Sequence, residues 1–231
     1  MIRLHLIRHG QASFGAEDYD QLSHLGQSQS LLLGKYLRDT LGNKKFLIIS
    51  GDMQRHRQTT EALVTGLGGK YKVVFDRDWN EVDYASILEA YKPELGNFKQ
   101  IRSWIMAQQR PTFAFQRLFE ASMARWASGL YNDDYTETRL AFLARVRAAA
   151  VKALQSVNDN TQILVVTSCM PIVGIVKTVL GISEADCRDL ESVMMNASFS
   201  TFIYKDDTLK LSCYNNFSYL EGGDGSFVTY R

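Results

Sequence analysis

Histidine is scarce in this chain of 231 residues: His5, His9, His24 and His56 are the only four, and none lies beyond residue 56. His5 and His9 stand four apart in a strand-like run, a span of about 13 Å, too long for one metal ion to bridge. Cysteine is scarce too. Cys169, Cys187 and Cys213 are an odd number without paired spacing, and the positions six residues further on are Ile175, Val193 and Tyr219. A cysteine phosphatase would need arginine there. No apolar run reaches the roughly 18 residues of a membrane span. The opening "MIRLHLIRHG" is too interrupted by Arg3, His5 and Arg8 for a secretory leader. The expectation is therefore a reduced, cytoplasmic protein. Neither sign of charge dominates: 26 Lys and Arg against 25 Asp and Glu leave +1. That balance argues against nucleic acid and anionic membranes as partners, so an anionic ligand would need a local cluster of cations. The segment "GLGGKY" (66–71) lacks the glycine spacing and terminal hydroxyl of a P-loop. "TSCMP" is no nucleophile elbow.

Short apolar runs alternate with amphipathic stretches. Residues 2–8, 45–50, 72–75 and 162–168 read as strands. Residues 23–41 read as a helix capped by Ser23 and stopped at Gly42, and 53–66 as a second helix. Residues 136–157 form a third, burying Phe142, Val146, Ala149, Ala150 and Leu154, with Arg139, Arg145, Arg147 and Lys152 on largely polar faces. A helix over 171–181 has Pro171 in its first turn. "SFSTFIY" and "TLKLSCY" flank Lys205-Asp206-Asp207 as a hairpin. The aromatic-rich segment 84–131 has no strand-like run and reads as two or more helices. No repeat, low-complexity tract or linker divides the chain. The pattern predicts an α/β fold: a three-layer sandwich on a mostly parallel central sheet with an antiparallel edge strand. Residues 1–231 would form one domain, with a helical insertion or lid over 84–135. The final "EGGDGSFVTYR" reads as a surface tail.

In such a sheet, ligands bind beyond the carboxyl ends of the strands. Arg8, His9 and Gly10 end the first strand, Ser50 the second with Arg55 just beyond, Glu81 follows the third, and Ser168 ends the strand 162–168. Two guanidiniums suit bidentate binding of a phosphate. Gly10 would let the phosphate approach the backbone. A histidine between two arginines is a phosphoryl-transfer arrangement, in which charge stabilisation carries much of the catalysis. Arg57 is the surface-exposed counterpart against which Arg55 is weighed. Asp78 and Asp83 are alternatives to Glu81.

Four segments together resemble the histidine phosphatase superfamily, whose members include the cofactor-dependent phosphoglycerate mutases. They are "LIRHGQ" followed by "LSHLGQSQSLLLGKYL", then "ISGDMQRHRQTTEAL", "DWNEVDY", and "NASFSTFIYKDDTLKLSCYNNFSYL". The resemblance covers about 1–83 and 136–220. It implies that His9 attacks phosphorus and carries a transient phosphohistidine, that Arg8 and Arg55 clamp the phosphoryl oxygens, and that Glu81 serves as acid and then base. It implies no metal and no cofactor.

Two departures stand out. Family members usually carry a second histidine after the late strand, followed by glycines. Here "VVTSCMPI" puts Ser168 in the histidine's place and Cys169 and Met170 in the glycines' places. A hydroxyl donates one hydrogen bond without charge, and losing one charged transition-state contact costs about 10²–10³ in rate by analogy with an oxyanion donor. Ser168→His should then raise hydrolysis if Ser168 only marks a weakened enzyme. After the first motif, the asparagine typical of phosphoglycerate mutases is absent, and Glu17, Asp18 and Asp20 would repel a highly charged bisphosphate. The expected function is hydrolysis of a phosphate monoester, on a phosphorylated small molecule or a phosphoprotein, through His9. The alternative is a catalytically impaired phosphate- or partner-binding member of the same fold. Phosphoglycerate mutase ranks last.

Overall fold

The computed structural model describes residues 1–13, 20–42, 44–222 and 225–230. In chain order β1 (Ile2–Arg8) leads to α1 (His24–Leu41), β2 (Lys45–Ser50), α2 (Gln54–Leu67) and β3 (Val73–Phe75). Four helices follow: α3 (Tyr84–Tyr91), α4 (Phe98–Met106), α5 (Pro111–Ala127) and α6 (Arg139–Gln155). Then come β4 (Thr161–Thr167), α7 (Cys169–Leu180), α8 (Glu184–Ser192) and the hairpin β5 (Phe199–Lys205) and β6 (Thr208–Asn216). Ser23 caps α1 as expected, its hydroxyl accepting the Gly26 N–H. Sequence reading passed over α8. Its signal is a capping box, in which Ser183 and Asp186 each accept the other's backbone N–H.

Among the described residues six strands form one sheet in the order β3-β2-β4-β1-β5-β6. The pairings β3-β2, β2-β4 and β4-β1 are parallel, and β5 runs antiparallel between β1 and β6. The architecture is the expected α/β type. Strand β1 has Leu4, Leu6 and Ile7 fully buried, and β4 has Ile163, Leu164, Val165 and Val166. Neighbouring residues of a strand point to opposite faces, so both faces are covered, as parallel strands need. Ile7, Ile48, Leu164 and Val166 cluster with Leu33 and Leu37 of α1 and Leu63 and Leu67 of α2. Helix α7 packs against β1 and β6. Helices α1 and α2 meet backbone to backbone, because a Cβ on Gly34 would lie 2.2 Å from the Leu63 carbonyl and one on Gly66 2.3 Å from that of Leu31.

The contacts divide the chain into two compact units, Met1–Glu81 with Val146–Arg231, and Val82–Arg145. The second has a core of its own, Leu88, Ile101, Ile105 and Leu118, ringed by Tyr84, Tyr91, Leu95, Phe98 and Phe115. Arg139 departs from its expected polar placement: it is buried, with its guanidinium 5.3 Å from the Trp126 ring. The C-terminal segment departs from a surface tail. Gln29 of α1 donates to the Phe227 carbonyl and the Thr229 hydroxyl, and Asn196 donates its N–H to the Thr229 carbonyl.

His5 is a structural histidine. Its ring nitrogens meet Thr201 Oγ1 and Gln162 Oε1, each at 3.0 Å, and burial lowers its pKa to about 4. Below about pH 6.5 the unfolded chain takes up a proton that the folded chain refuses. Stability is therefore full above that pH and falls as the pH drops toward 4, by about 3 kcal/mol from His5. Urea titrations from pH 7 to 4.5 should show the decline, and His5→Gln should make it shallower while the shares of His9 and His56 remain. Identical slopes for both proteins would contradict this role for His5.

Candidate active site

The carboxyl ends of β1, β2 and β4 lie side by side. Arg8 pairs with Thr167, and the backbone of His9 continues the ladder by donating to the Thr167 carbonyl at 2.9 Å. Gly51 does the same on the other side, donating to the Val166 carbonyl. His9 and Ser168 thus leave adjacent strands in register, one step past the last pair.

His9 is 6% exposed. Its Nδ1 lies 2.8 Å from the Gly10 carbonyl, which fixes the hydrogen on Nδ1 and leaves the Nε2 lone pair available. Burial, then the charges of Arg55 and Arg8, then His56, hold its pKa well below the ordinary value. Electrostatically both arginines therefore bear on His9. They reach it in different ways. Arg55 is 3% exposed and donates through Nη1 to Asp20 at 2.6 Å, while its Nε is buried without a partner among the described residues. Arg8 donates through Nη1 to the carbonyls of Met194 and Tyr230, and its Nε is likewise buried and unpartnered. Buried guanidinium N–H groups without acceptors are costly, and they fit an oxyanion. Asp20 also accepts the Gln54 N–H at the start of α2. Glu17 and Asp18, expected beside it, lie outside the described residues.

The glycine at position 10 has a different reason from the one expected. A Cβ there would sit 2.3 Å from the Gly26 carbonyl and 2.7 Å from Ser30 Oγ, so α1 needs the space. The Gly10 N–H donates to Thr59 Oγ1 at 3.1 Å. Glycine at this point makes room for α1, and its amide donates to α2.

Glu81 reaches the same rim. Its Oε2 accepts the Met170 N–H at 3.3 Å, in the first turn of α7, where backbone donors lack helical partners. The preceding residues are anchored on both sides. Thr167 Oγ1 donates to the Trp79 carbonyl, and Asn80 exchanges hydrogen bonds with Asp52. Of the competing acids, Asp83 caps α3, accepting from Ala85 and Ser86, and Asp78 has its N–H tied to Asp76.

Ser168 stands at the N-cap of α7, which starts at Cys169, two residues earlier than the expected 171, and makes no capping bond. Its hydroxyl instead meets His56 Nε2 at 2.7 Å. His56 is the residue that sequence reading missed. It is fully buried, and its ring lies 5.8 Å from that of His9 between centroids. The signal was present: His56, Thr59, Thr60, Leu63 and Leu67 recur at helical spacing and are the buried face of α2. Burial, then Arg55, hold the His56 pKa well below its ordinary value. Among the described residues no group of three or more His, Cys, Asp or Glu could hold a metal. No helix there is long and apolar enough to cross a membrane.

Residues 4–217 match the model of the histidine phosphatase superfamily (branch 1). The chain belongs to that superfamily. Solved structures of similar fold include three bacterial or protozoan proteins. YhfR of Bacillus stearothermophilus has TM-score 0.70 at 17% identity, with 96% of this chain and 100% of that chain covered. A phosphoserine phosphatase variant of Entamoeba histolytica bound to phosphoserine has TM-score 0.64 at 18% identity, covering 95% and 100%. A mycobacterial glucosyl-3-phosphoglycerate phosphatase has TM-score 0.64 at 21% identity, covering 92% and 98%. At these identities the likeness establishes the histidine phosphatase fold. Among curated proteins none matches the sequence.

Proposed function

We propose that this superfamily member hydrolyses a phosphate monoester through a phosphohistidine on His9. The observation that carries the reading is the state of His9: buried, uncharged, and held by Gly10 in the tautomer that leaves Nε2 nucleophilic, between two guanidiniums with buried unpartnered N–H groups. In the first step Nε2 forms a bond to phosphorus, the ester P–O bond breaks, and Glu81 protonates the leaving oxygen. In the second, Glu81 takes a proton from water as the water oxygen bonds to phosphorus, and the P–N bond breaks to restore His9. Arg8, Arg55 and Ser168 contact the phosphoryl oxygens. Similar folds act on phosphoserine and on a glucosyl phosphoglycerate. That supports a phosphorylated small molecule as substrate, with a phosphoprotein as the other class. Three cysteines, an odd number without paired spacing, suit a reducing, cytoplasmic setting. A bisphosphate-dependent mutase reaction is disfavoured by Asp20, which already sits on Arg55.

The same ion pair favours the second reading, an impaired member that binds phosphate without turning it over. A rapid-quench experiment separates the two. Mixed with an aryl phosphate, the protein should release aryl alcohol in a burst of one equivalent and yield an acid-labile phosphate on His9 by mass spectrometry. Phosphate binding without burst or phosphoenzyme would leave only the second reading standing.

A further inference from the structure

We propose that His56 and Ser168 act as one phosphoryl-contacting unit, the Ser168 hydroxyl touching a phosphoryl oxygen and the His56 ring positioning that hydroxyl from behind. The inference rests on the proposed phosphatase reading of the His9 site and assigns to His56 a role that no sequence motif gave it. Ser168 follows Thr167 just as His9 follows Arg8, so the two side chains leave neighbouring strand ends about 4.8 Å apart. A serine at an N-cap ordinarily turns its oxygen to the helix amides. Here Glu81 accepts from the first turn of α7, and the serine oxygen is held at 2.7 Å by His56 instead.

The chemistry of the pair follows from hydrogen counting. His56 is uncharged, so one ring nitrogen carries hydrogen. With that hydrogen on Nε2, the ring donates to Ser168 Oγ and the serine O–H is left to donate to an anion. With it on Nδ1, the side that the Asn80 side chain hydrogen-bonds, the serine hydrogen is spent on Nε2 and only lone pairs remain for the anion, which repels them. A bound phosphoryl group therefore selects the first arrangement. The site is also cut to admit the ring. A Cβ on Gly51 would lie 2.2 Å from His56 Nδ1, so glycine at the end of β2 makes room for an imidazole arriving from α2. The histidine expected after the late strand thus has a counterpart on a different element, with a serine between it and the phosphoryl group.

This bears on the outcome of Ser168→His. Ser168 and His56 are both buried and already in contact, so Ser168→His alone would crowd a second imidazole against the first and lower activity. Exchanging both, His56→Ala with Ser168→His, should recover much of it.

A double-mutant cycle tests the unit with two readouts, kcat for an aryl phosphate and the Kd of orthovanadate, which needs no turnover. His56→Ala and Ser168→Ala should each lower kcat about 10- to 100-fold with KM nearly constant and weaken vanadate by a similar factor, and the double variant should be no worse than either single. His56→Gln, which can still donate to Ser168, should restore much of the loss and guards against a merely misfolded His56→Ala. Multiplying single effects, or wild-type values for His56→Ala, would overturn the proposal. Failure of the underlying phosphatase reading looks different: wild type and His9→Ala would then hydrolyse equally, while the vanadate cycle would still decide whether His56 and Ser168 act together.

Discussion

His9→Ala should lower kcat for an aryl phosphate by about 10⁴-fold or more, the scale on which enzymes respond to losing a nucleophile. The physical case rests on how fully the site is built around that one ring. The backbone of His9 is fixed by the β4 ladder and its tautomer by Gly10, and its protonation is suppressed by burial and by Arg55 and Arg8. Each feature keeps a neutral nitrogen lone pair in place at neutral pH. Alanine leaves the arginines and Glu81, so substrate should still bind and KM should change far less than kcat. The measurement is steady-state hydrolysis of both proteins, with orthovanadate binding as the control for an intact pocket. Equal rates would remove His9 from the chemistry.

The second largest effect is expected at Arg55. Arg55→Ala should cost about 10²–10³ in kcat, the usual penalty for removing one preorganised transition-state donor. Its partner should respond in the opposite sense. Asp20 places a carboxylate 2.6 Å from Arg55 Nη1 and competes with any phosphoryl oxygen for that charge. Asp20→Asn should lower KM and the Kd of phosphate several-fold, because a neutral amide no longer offsets the guanidinium. Steady-state kinetics on the two variants, together with phosphate titrations, checks both. If Asp20→Asn weakens phosphate binding instead, the carboxylate orients Arg55 more than it neutralises it, and Arg55 depends on Asp20 for its position. The Asp20 carboxylate also holds the Gln54 N–H, so thermal denaturation of both variants belongs in the comparison.

Periodicity was enough to place β1, β2, β4 and the β5-β6 hairpin, because apolar runs of strand length bounded by turn residues have few other readings. Ser23 as a cap and Phe142, Val146 and Leu154 as a buried face came from the same local rules. The candidates Arg8, His9, Glu81 and Ser168 stand at or beyond strand ends and Arg55 on the helix after β2, positions that the strand pattern makes readable. What escaped was set by partners far along the chain. His56 was legible as part of a buried helical stripe, but its contact with Ser168 spans 112 positions. Gly10 was read as space for a ligand, whereas its neighbour is the α1 backbone. The C-terminal segment, polar and glycine-rich, carries no periodic signal, yet its carbonyls hold Gln29 and Arg8. A hydrogen bond to a backbone carbonyl leaves no trace in residue type at the accepting end.

The sheet order also governs how the protein is made. Strand β1, which leads into His9, has β4 and β5 as its ladder partners among the described residues, and β2 pairs with β3 and β4. On the ribosome the first strand therefore waits for residues beyond Thr161 before it can join a sheet. At about 5–20 residues per second, that wait is on the order of ten seconds or more. Until then its apolar residues depend on transient cover, and His9 lacks the Thr167 carbonyl that accepts its N–H. Arg8 waits longer still, since one of its acceptors is the carbonyl of Tyr230. The strand that leads the sheet in sequence thus takes its place only after partners more than 150 positions further along have been made.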